Sequence, residues 1–289
     1  MSPREPTAPS GLPSPPPRRH RRATVVEVTH LTPHLTRVVL GGVDLEGFGA
    51  GAFTDHYVKL LLPPPGASYR EPFDAEDIRA RLPREEWPRT RTYTVRDWDP
   101  ETGWLTIDFV IHGDRGVAGP WAAAAEVGDQ LQLSGPGGAY APDPDADWHL
   151  LVGDTSVLPA ISASLARVPF GVPVHVVLEV EGPEDVLVLS TPGVLHETWV
   201  FRQDRATPDA DPLLDAVAAL EFPDGVVHGF VHGEASTVRA IRRHLLIERG
   251  VPREALSVSG YWKRSRDEEG WREDKAEWNR LAEADVTTG

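Results

Sequence analysis

The chain has 289 residues, a formal net charge of −15 at pH 7 and no cysteine. Without cysteine, disulfides, thiolate-held zinc or iron–sulfur clusters and a cysteine nucleophile are excluded. The negative charge argues against broad nucleic-acid binding, which needs a basic surface, and the sequence has no run of about 18 apolar residues that would insert into a membrane.

Residues 1–22 contain seven prolines and five arginines, and they lack the apolar segment of a secretion signal. This composition predicts a disordered tail, with a basic docking segment for membranes or polyanions as the alternative. We expect the protein to be cytoplasmic.

From residue 23 to about residue 140, the pattern is that of short β-strands separated by turns. Strands are predicted at 23–29, 35–40, 53–62, 91–96, 104–111 and 129–134, with a short helix at 120–126. We expect the proline-rich residues 63–90 to form a long loop, and 91–96 to pair with 104–111 as a hairpin. Several short strands in a segment of this length predict a barrel or a sandwich.

After residue 145, strands and helices alternate. Strands are predicted at 148–152, 174–180, 226–232 and 256–259, and helices at 156–167, 212–220, 235–249 and 267–284. This alternation predicts a parallel, doubly wound sheet. A barrel followed by such a sheet, with a boundary near residues 142–147, suits a cofactor held in an interdomain cleft. Trp271 and Trp278 would pack the last helix against the sheet or border that cleft.

Three segments carry residues that suit a phosphorylated cofactor. Arg91, Tyr93 and Thr94 share one strand, in which the arginine can pair with phosphate and the ring can cover a heterocycle; an ordinary strand is the alternative. Residues 108–122 run through a glycine-rich loop into a helix, which suits pyrophosphate or is a simple connection. Residues 153–160 form a strand-to-helix turn where α/β folds bind nucleotides, without GxGxxG or a P-loop lysine; a simple tight turn is the alternative.

These segments, with four others in the same order, resemble the siderophore-interacting proteins, which are ferric-siderophore reductases of the ferredoxin-reductase-like flavoprotein superfamily. The other segments are Leu31-Thr32-Pro33-His34 with Arg37, His56-Tyr57-Val58-Lys59-Leu60, His232-Gly233-Glu234-Ala235 and Tyr261-Trp262-Lys263-Arg264. The resemblance implies an antiparallel Greek-key β-barrel domain for FAD at residues 23–142. A parallel doubly wound α/β domain for the nicotinamide nucleotide would follow at 147–289.

The resemblance implies FAD and either NADPH or NADH as cofactors, and no metal ion held by the protein. The residues that it implies for FAD are Arg91, Tyr93, Thr94, Asp108, His112, Val117, Ala118, Gly119 and Trp121. Those that it implies for the nicotinamide nucleotide are Gly153, Asp154, Thr155, Ser156, His232, Gly233 and Glu234. The family often has serine where this chain has Gly119, and arginine or lysine where it has Pro120, so we expect an altered affinity for FAD.

The sequence leaves the choice of nucleotide open. Glu179 and Glu181 close the second α/β strand and would favour an unphosphorylated ribose. The 2′-phosphate of NADPH would instead meet three basic residues, unless these form a solvated helix face: Arg239, Arg242 and Arg243.

The substrate that the resemblance implies is a ferric siderophore, with basic side chains near the open face of the flavin. Lys59, Lys263 and Arg264 are the predicted substrate residues, and plain surface lysines are the alternative. The family usually has glycine where this chain has Ser265. In the expected reaction a hydride passes from NAD(P)H to FAD, and siderophore-bound Fe(III) is then reduced to Fe(II) in one-electron steps.

Three other functions fit the same pattern, because a fold does not fix a function. One is a general NAD(P)H:flavin or quinone reductase, and another is a siderophore reductase that takes electrons from a ferredoxin. The third is a carrier that binds a ferric chelate without reducing it. Visible flavin absorption and its bleaching by NADH or NADPH would separate these functions.

Overall fold

The computed structural model of the protein describes residues 20–113, 116–207 and 210–287, without the side chains of 286 and 287. Most of the predicted tail, residues 1–19, lies outside the described residues. Residues 21 and 22, which were predicted to belong to the tail, are the first two residues of strand β1 (Arg21–Thr32). Arg21 anchors this start by donating to the carbonyl oxygens of Asp44 and Glu46, at 2.6 and 3.0 Å.

Seven antiparallel strands form the first domain. After β1 come β2 (Leu35–Gly41), β3 (Tyr57–Leu62), β4 (Arg89–Thr94), β5 (Asp97–Asp99), β6 (Trp104–Val110) and β7 (Gln130–Gly137). Their order in the sheet is β4-β3-β7-β1-β2-β6-β5. Just after β4, the N–H of Arg96 donates to the carbonyl oxygen of Thr106 in β6 at 2.9 Å, which brings the two ends of the sheet together. Alternating apolar side chains fill the interior, among them Val38, Leu60, Ile107, Phe109 and Leu133.

Two predictions for this domain are wrong. β4 pairs with β3, and the strand that pairs with β6 in the hairpin is the short β5. The backbone of β4 is committed to β3, because the ladder continues past Thr94 with a 2.6 Å bond from Val95 N–H to His56 O. The predicted loop 63–90 contains a helix, α1 (Ala75–Arg81), whose N-terminus is capped by Asp74.

The second domain has five parallel strands in the order β10-β9-β8-β11-β12. They are β8 (Trp148–Asp154), β9 (Pro173–Val180), β10 (Val194–Phe201), β11 (Val227–Glu234) and β12 (Leu256–Trp262). The helices are α2 (Ala118–Ala123) in the barrel domain, then α3 (Leu158–Leu165), α4 (Pro212–Ala218), α5 (Ala235–Arg243) and α6 (Glu268–Thr287). Strand β10 was not predicted, and a π-helical turn, His244–Glu248, continues α5.

Helices cover both faces of the parallel sheet. One apolar cluster joins α4, α5 and α6 to the sheet and includes both Trp271 and Trp278. The other joins α3 to the opposite face and includes Leu35 and Tyr140 of the barrel domain, so the two domains share a core. The predicted fold class, a barrel followed by a doubly wound sheet, is confirmed. Among the described helices, none is both long and apolar enough to cross a membrane.

Candidate functional site

Arg91 of β4 is held by the first turn of α6. Its Nη1 donates to Oε1 of Glu269 at 2.7 Å and to the carbonyl oxygen of Thr90 at 2.9 Å. Its Nε lies 3.8 Å from Oε2 of Glu268. Nη2 makes no hydrogen bond to any residue that the structure describes. The guanidinium is therefore fixed in place and keeps a nitrogen with two free donors.

Tyr93 connects β4 to the rest of the barrel domain. Its half-buried ring lies 4.5 Å from that of Phe109, which in turn lies 5.5 Å from the ring of Trp121 in α2. Burial and the charge of Glu268 raise the pKa of Tyr93, so its phenol stays a neutral donor at physiological pH.

Thr94 ends β4 next to the second domain. It is buried, and Tyr261 of β12 lies beside it. Burial raises the pKa of Tyr261, and a hydrogen bond from the Thr94 side chain partly offsets that rise. The cofactor strand of the barrel therefore contacts the end of the parallel sheet directly.

The loop before α2 leaves open space around its backbone. Gly113 and Gly116 have φ angles of 60° and 81°, and a Cβ at either position would meet nothing within 4 Å. No side chain caps the start of α2 at Val117. At Gly119, a Cβ would lie 3.3 Å from the carbonyl oxygen of Val110, so the serine common in the family would crowd the end of β6. His112 is exposed at the loop's start, and residues 114 and 115 lie outside the described part.

Asp108 has a different contact from the predicted one. Both of its carboxylate oxygens accept from Arg37, at 2.7 and 2.8 Å, and the carboxylate is buried between β2 and β6. The carboxylate of Asp108 therefore links strands β2 and β6 of the barrel.

The donors of the barrel domain fit a dinucleotide such as FAD. A guanidinium nitrogen with two free donors, an open glycine backbone and an uncapped helix start are groups that bind pyrophosphate. A half-buried aromatic ring beside them suits a flat heterocycle.

At the end of β8, Asp154 holds the parallel strands together. Oδ1 accepts from the N–H and the hydroxyl of Ser156, at 2.9 and 2.5 Å. Oδ2 accepts from Glu234 N–H at 2.9 Å and from Trp262 Nε1 at 2.8 Å. Burial raises the pKa of Asp154, and these bonds partly offset the rise. A side chain at Gly233 would place its Cβ 2.8 Å from Oδ2, so glycine is required there.

His232 and Glu234 also turn their side chains inward. The buried ring of His232 stacks on Phe230 at 3.8 Å and meets the edge of Tyr261 at 5.0 Å, and its Nδ1 has no partner among the described residues. Burial lowers the pKa of His232 to about 3. Glu234 caps α5 through Ser236 N–H at 2.8 Å and accepts Arg264 N–H at 3.0 Å.

The predicted nucleotide residues thus come together, but most of their side chains build the sheet edge. Gly153 is packed against the neighbouring strand, since a Cβ there would lie 2.9 Å from His232 O. Thr155 is buried and Ser156 bonds to Asp154. What this edge can offer a nucleotide is mainly backbone N–H groups.

The acidic and basic residues that were expected to decide between NADH and NADPH are all paired with other residues of the protein. Glu179 is buried and accepts from Arg202 at 2.9 Å and Arg205 at 2.6 Å, so both of its carboxylate oxygens are already paired, and Glu181 accepts from Arg202 at 3.3 Å. The three arginines of α5 are held by other side chains or backbone: Arg239 by Asp285, Arg242 by Ala282 and Glu283, and Arg243 by Glu248.

Among the predicted substrate residues, Lys263 contacts α6 directly and Lys59 lies opposite a residue that does. Lys59 stands opposite Thr92 in the β3–β4 ladder, and the Thr92 hydroxyl donates to Glu268 at 3.2 Å. Lys263 and Arg266 both bind Asp274, at 3.0 and 2.9 Å. Arg264 is exposed.

Sequence reasoning missed the contribution of α6. Glu268 and Glu269 contact β4, and the half-buried Lys275 donates to Ser259 Oγ and Gly260 O at 3.3 and 3.2 Å. The signal for this helix was the helical spacing of Trp271, Trp278 and Leu281, which indicates packing but does not predict the contacts of its acidic first turn.

A closed antiparallel sheet, a parallel sheet and cofactor-type segments at their seam define the ferredoxin-reductase-like flavoprotein fold. Residues 24–140 match the siderophore-interacting FAD-binding domain, and residues 146–265 match the siderophore-interacting protein model. The chain belongs to the siderophore-interacting protein family. The predicted resemblance, enzyme class and cofactors are confirmed.

Known proteins of similar sequence and structure agree with this assignment. The chain is 36% identical over 256 residues to the ferric vibriobactin reductase ViuB of Vibrio cholerae, covering 86% of this chain and 92% of the relative. It is 30% identical to the NADPH-dependent ferric-chelate reductase of Escherichia coli, covering 84% and 93%. The crystal structure of the siderophore-interacting protein SipS from Aeromonas hydrophila has 31% identity and a TM-score of 0.75, covering 91% and 99%.

Proposed function

We propose that the protein is a cytoplasmic ferric-siderophore reductase that takes electrons from NAD(P)H and reduces chelated Fe(III) to Fe(II). The observation that carries this proposal is the position of Tyr261. It lies beside Thr94 of the cofactor strand and 5.0 Å from the ring of His232 in the second domain. A flavin on β4 and a nicotinamide at the end of β11 would therefore be neighbours.

FAD, when bound, supplies the chemistry of accepting a hydride and releasing single electrons, which suits Fe(III) as the acceptor. The chain's own residues bind and orient. Arg91 would offer its free nitrogen to phosphate, and Tyr93 and Thr94 would contact the heterocycle. The other proposed contacts are the backbone of residues 116–119, His112 and Trp121, and Asp108 would act only by fixing the strand.

On the nucleotide side, the backbone at Gly153, Thr155 and Gly233 would bind the donor, since the N–H of Ser156 is already bonded to Asp154. Asp154, His232 and Glu234 would hold that backbone in place. A ferric chelate with negative charge would be attracted by Lys59, Lys263 and Arg264, which border the same seam.

The direct test is anaerobic. We expect the purified protein to show flavin absorption, to bleach with NADPH or NADH, and to recover its absorption when a ferric siderophore is added with an Fe(II)-trapping dye. If neither nucleotide bleaches the bound flavin but a reduced ferredoxin does, the proposed electron donor, NAD(P)H, is wrong. A protein that takes up no FAD would overturn the proposal and leave only a carrier.

The substrate residues have their own test. Lys59→Gln with Lys263→Gln should reduce kcat/KM for a ferric siderophore by about tenfold and leave a small neutral quinone unaffected, because only the charged chelate feels the lost cations. Arg81→Gln is the control, since this exposed arginine pairs with Asp77 on α1 and belongs to none of the predicted substrate segments. Equal losses with both acceptors would indicate a general reductase.

A further inference from the structure

A groove of about 720 Å³ runs between α5 and α6. Its apolar lining comes from Ala240, Trp278 and Leu281, and Lys263 and Arg266 lie at one end. None of these residues except Lys263 has a role in the function proposed above. A volume of this size lies within the range of small-molecule sites, roughly 300–1,000 Å³.

The groove opens close to the cofactor strand. Glu268 accepts from the Thr92 hydroxyl, and Asp274, which lines the groove, lies six residues further along the same helix. At a rise of 1.5 Å per residue, that separation is about 9 Å. A ligand that enters at Asp274 would thus have one end near β4 and the rest between the two helices.

The mouth of the groove carries a positive charge. Lys263 and Arg266 share the single carboxylate of Asp274, and their side chains are 38% and 51% exposed. Glu277, which also lines the groove one turn further along α6, is paired with Arg280, so the excess positive charge remains. Further in, Arg239 is paired with Asp285 and Arg243 with Glu248, so neither arginine adds net charge. An anionic group therefore suits the mouth, and an uncharged body with apolar parts suits the interior.

We propose that this groove binds the organic backbone of the ferric siderophore, with the anionic iron-coordinating end at Lys263 and Arg266. This inference rests on the reductase function proposed above. It assigns the α5–α6 groove to the part of the substrate that does not contact iron, so the groove would select among siderophores by the length and polarity of that part.

Filling the groove tests this assignment. Ala240→Phe adds a ring inside it, and Ala276→Phe adds the same ring at an exposed position of α6 that does not line it. We expect Ala240→Phe to raise KM for the ferric complex of a linear trihydroxamate by about tenfold, as pocket contacts typically do. KM for ferric EDTA, which is too small to need the groove, should not change, and Ala276→Phe should alter neither.

Equilibrium binding gives a readout that does not depend on electron transfer. The redox-inert gallium complex of the same trihydroxamate should bind more weakly to Ala240→Phe holoprotein by a similar factor. Ser236→Phe, at an exposed position that lines the groove, is the second variant should Ala240→Phe fail to fold. Unchanged gallium-complex affinity in the filled variants would overturn the groove assignment, whereas failure of wild-type protein to reduce either chelate would overturn the reductase function alone.

Discussion

Nη1 of Arg91 lies 2.7 Å from Oε1 of Glu269, so the cofactor strand of the barrel is tied to the first turn of the C-terminal helix. A second carboxylate, that of Glu268, lies 3.8 Å from Nε of the same arginine. Burial raises the pKa of Glu268, which favours its neutral form. Glu269 nevertheless places a negative charge beside the cation that would bind the flavin phosphate.

Glu269→Gln should therefore tighten FAD binding. Removal of the carboxylate frees the charge of Arg91, and a partly buried charge pair is worth about 1 kcal/mol, which corresponds to a three- to tenfold lower Kd. The measurement is fluorescence titration of the apoprotein with FAD, and the gain should shrink at high salt. Glu273→Gln, at an exposed position of α6 that does not line the groove, is the control. Weaker FAD binding would mean that Glu269 orients Arg91 instead.

Much of the fold could be predicted because the signals are local. Alternating apolar residues such as Leu105 and Ile107 predict a barrel strand, and β8 and β9 appear as short apolar runs. Strand β10 was missed because it is the sheet edge, and its exposed residues His196, Glu197 and Thr198 give no apolar period. The pairing of β4 with β3 depends on residues about 30 positions apart, which periodicity cannot show.

The site was predictable only as a set of segments. The order of the segments predicted that Arg91, Asp154 and Lys263 would lie at the same interdomain seam. It could not predict which of their polar atoms are hydrogen-bonded to other residues of the protein. Asp108 was predicted to contact the cofactor, but both of its carboxylate oxygens accept hydrogen bonds from Arg37. Such contacts join residues far apart in the chain, so they follow from the tertiary structure alone.

Ser265 has a φ of 66°, and it is the only residue other than glycine with a positive φ among those that the structure describes. This conformation costs a non-glycine residue about 1–2 kcal/mol, and glycine loses part of that gain through its greater chain entropy. We expect Ser265→Gly to raise the free energy of unfolding by about 0.5–1 kcal/mol, measured in urea. Ser190→Gly, at an exposed position without a positive φ, should give no gain. A less stable Ser265→Gly protein would contradict the strain.

His149 should make the protein sensitive to acid. It is fully buried, neither ring nitrogen has a partner among the described residues, and burial lowers its pKa from 6.5 to about 4. Below pH 6.5 the unfolded chain binds a proton that the folded state refuses, so stability falls until the pH reaches about 4. At pH 5 this loss is about 1–2 kcal/mol.

His149→Leu removes this titrating group and should reduce the loss of unfolding free energy between pH 7.5 and 5 by about 1–2 kcal/mol, while the buried His232, with a pKa of about 3, still contributes. Urea unfolding at several pH values measures the slope. His30→Gln, at an exposed position of β1, should leave the slope as in the wild type. A wild-type slope in His149→Leu would show that other groups cause the acid sensitivity, and the buried His232 would be the next residue to change.

Asp154→Asn distinguishes a structural carboxylate from one that contacts the nucleotide. The carboxylate accepts four hydrogen bonds, two of them from Ser156 and one each from Glu234 and Trp262. An amide turns one acceptor into a donor that faces other donors, so the unfolding free energy should fall by about 2–4 kcal/mol. Asp204→Asn, an exposed change in the same domain, should cost almost nothing. If Asp154→Asn keeps its stability but loses affinity for NADPH and NADH, the carboxylate binds the nucleotide itself, since only a direct contact separates the two readouts in that way.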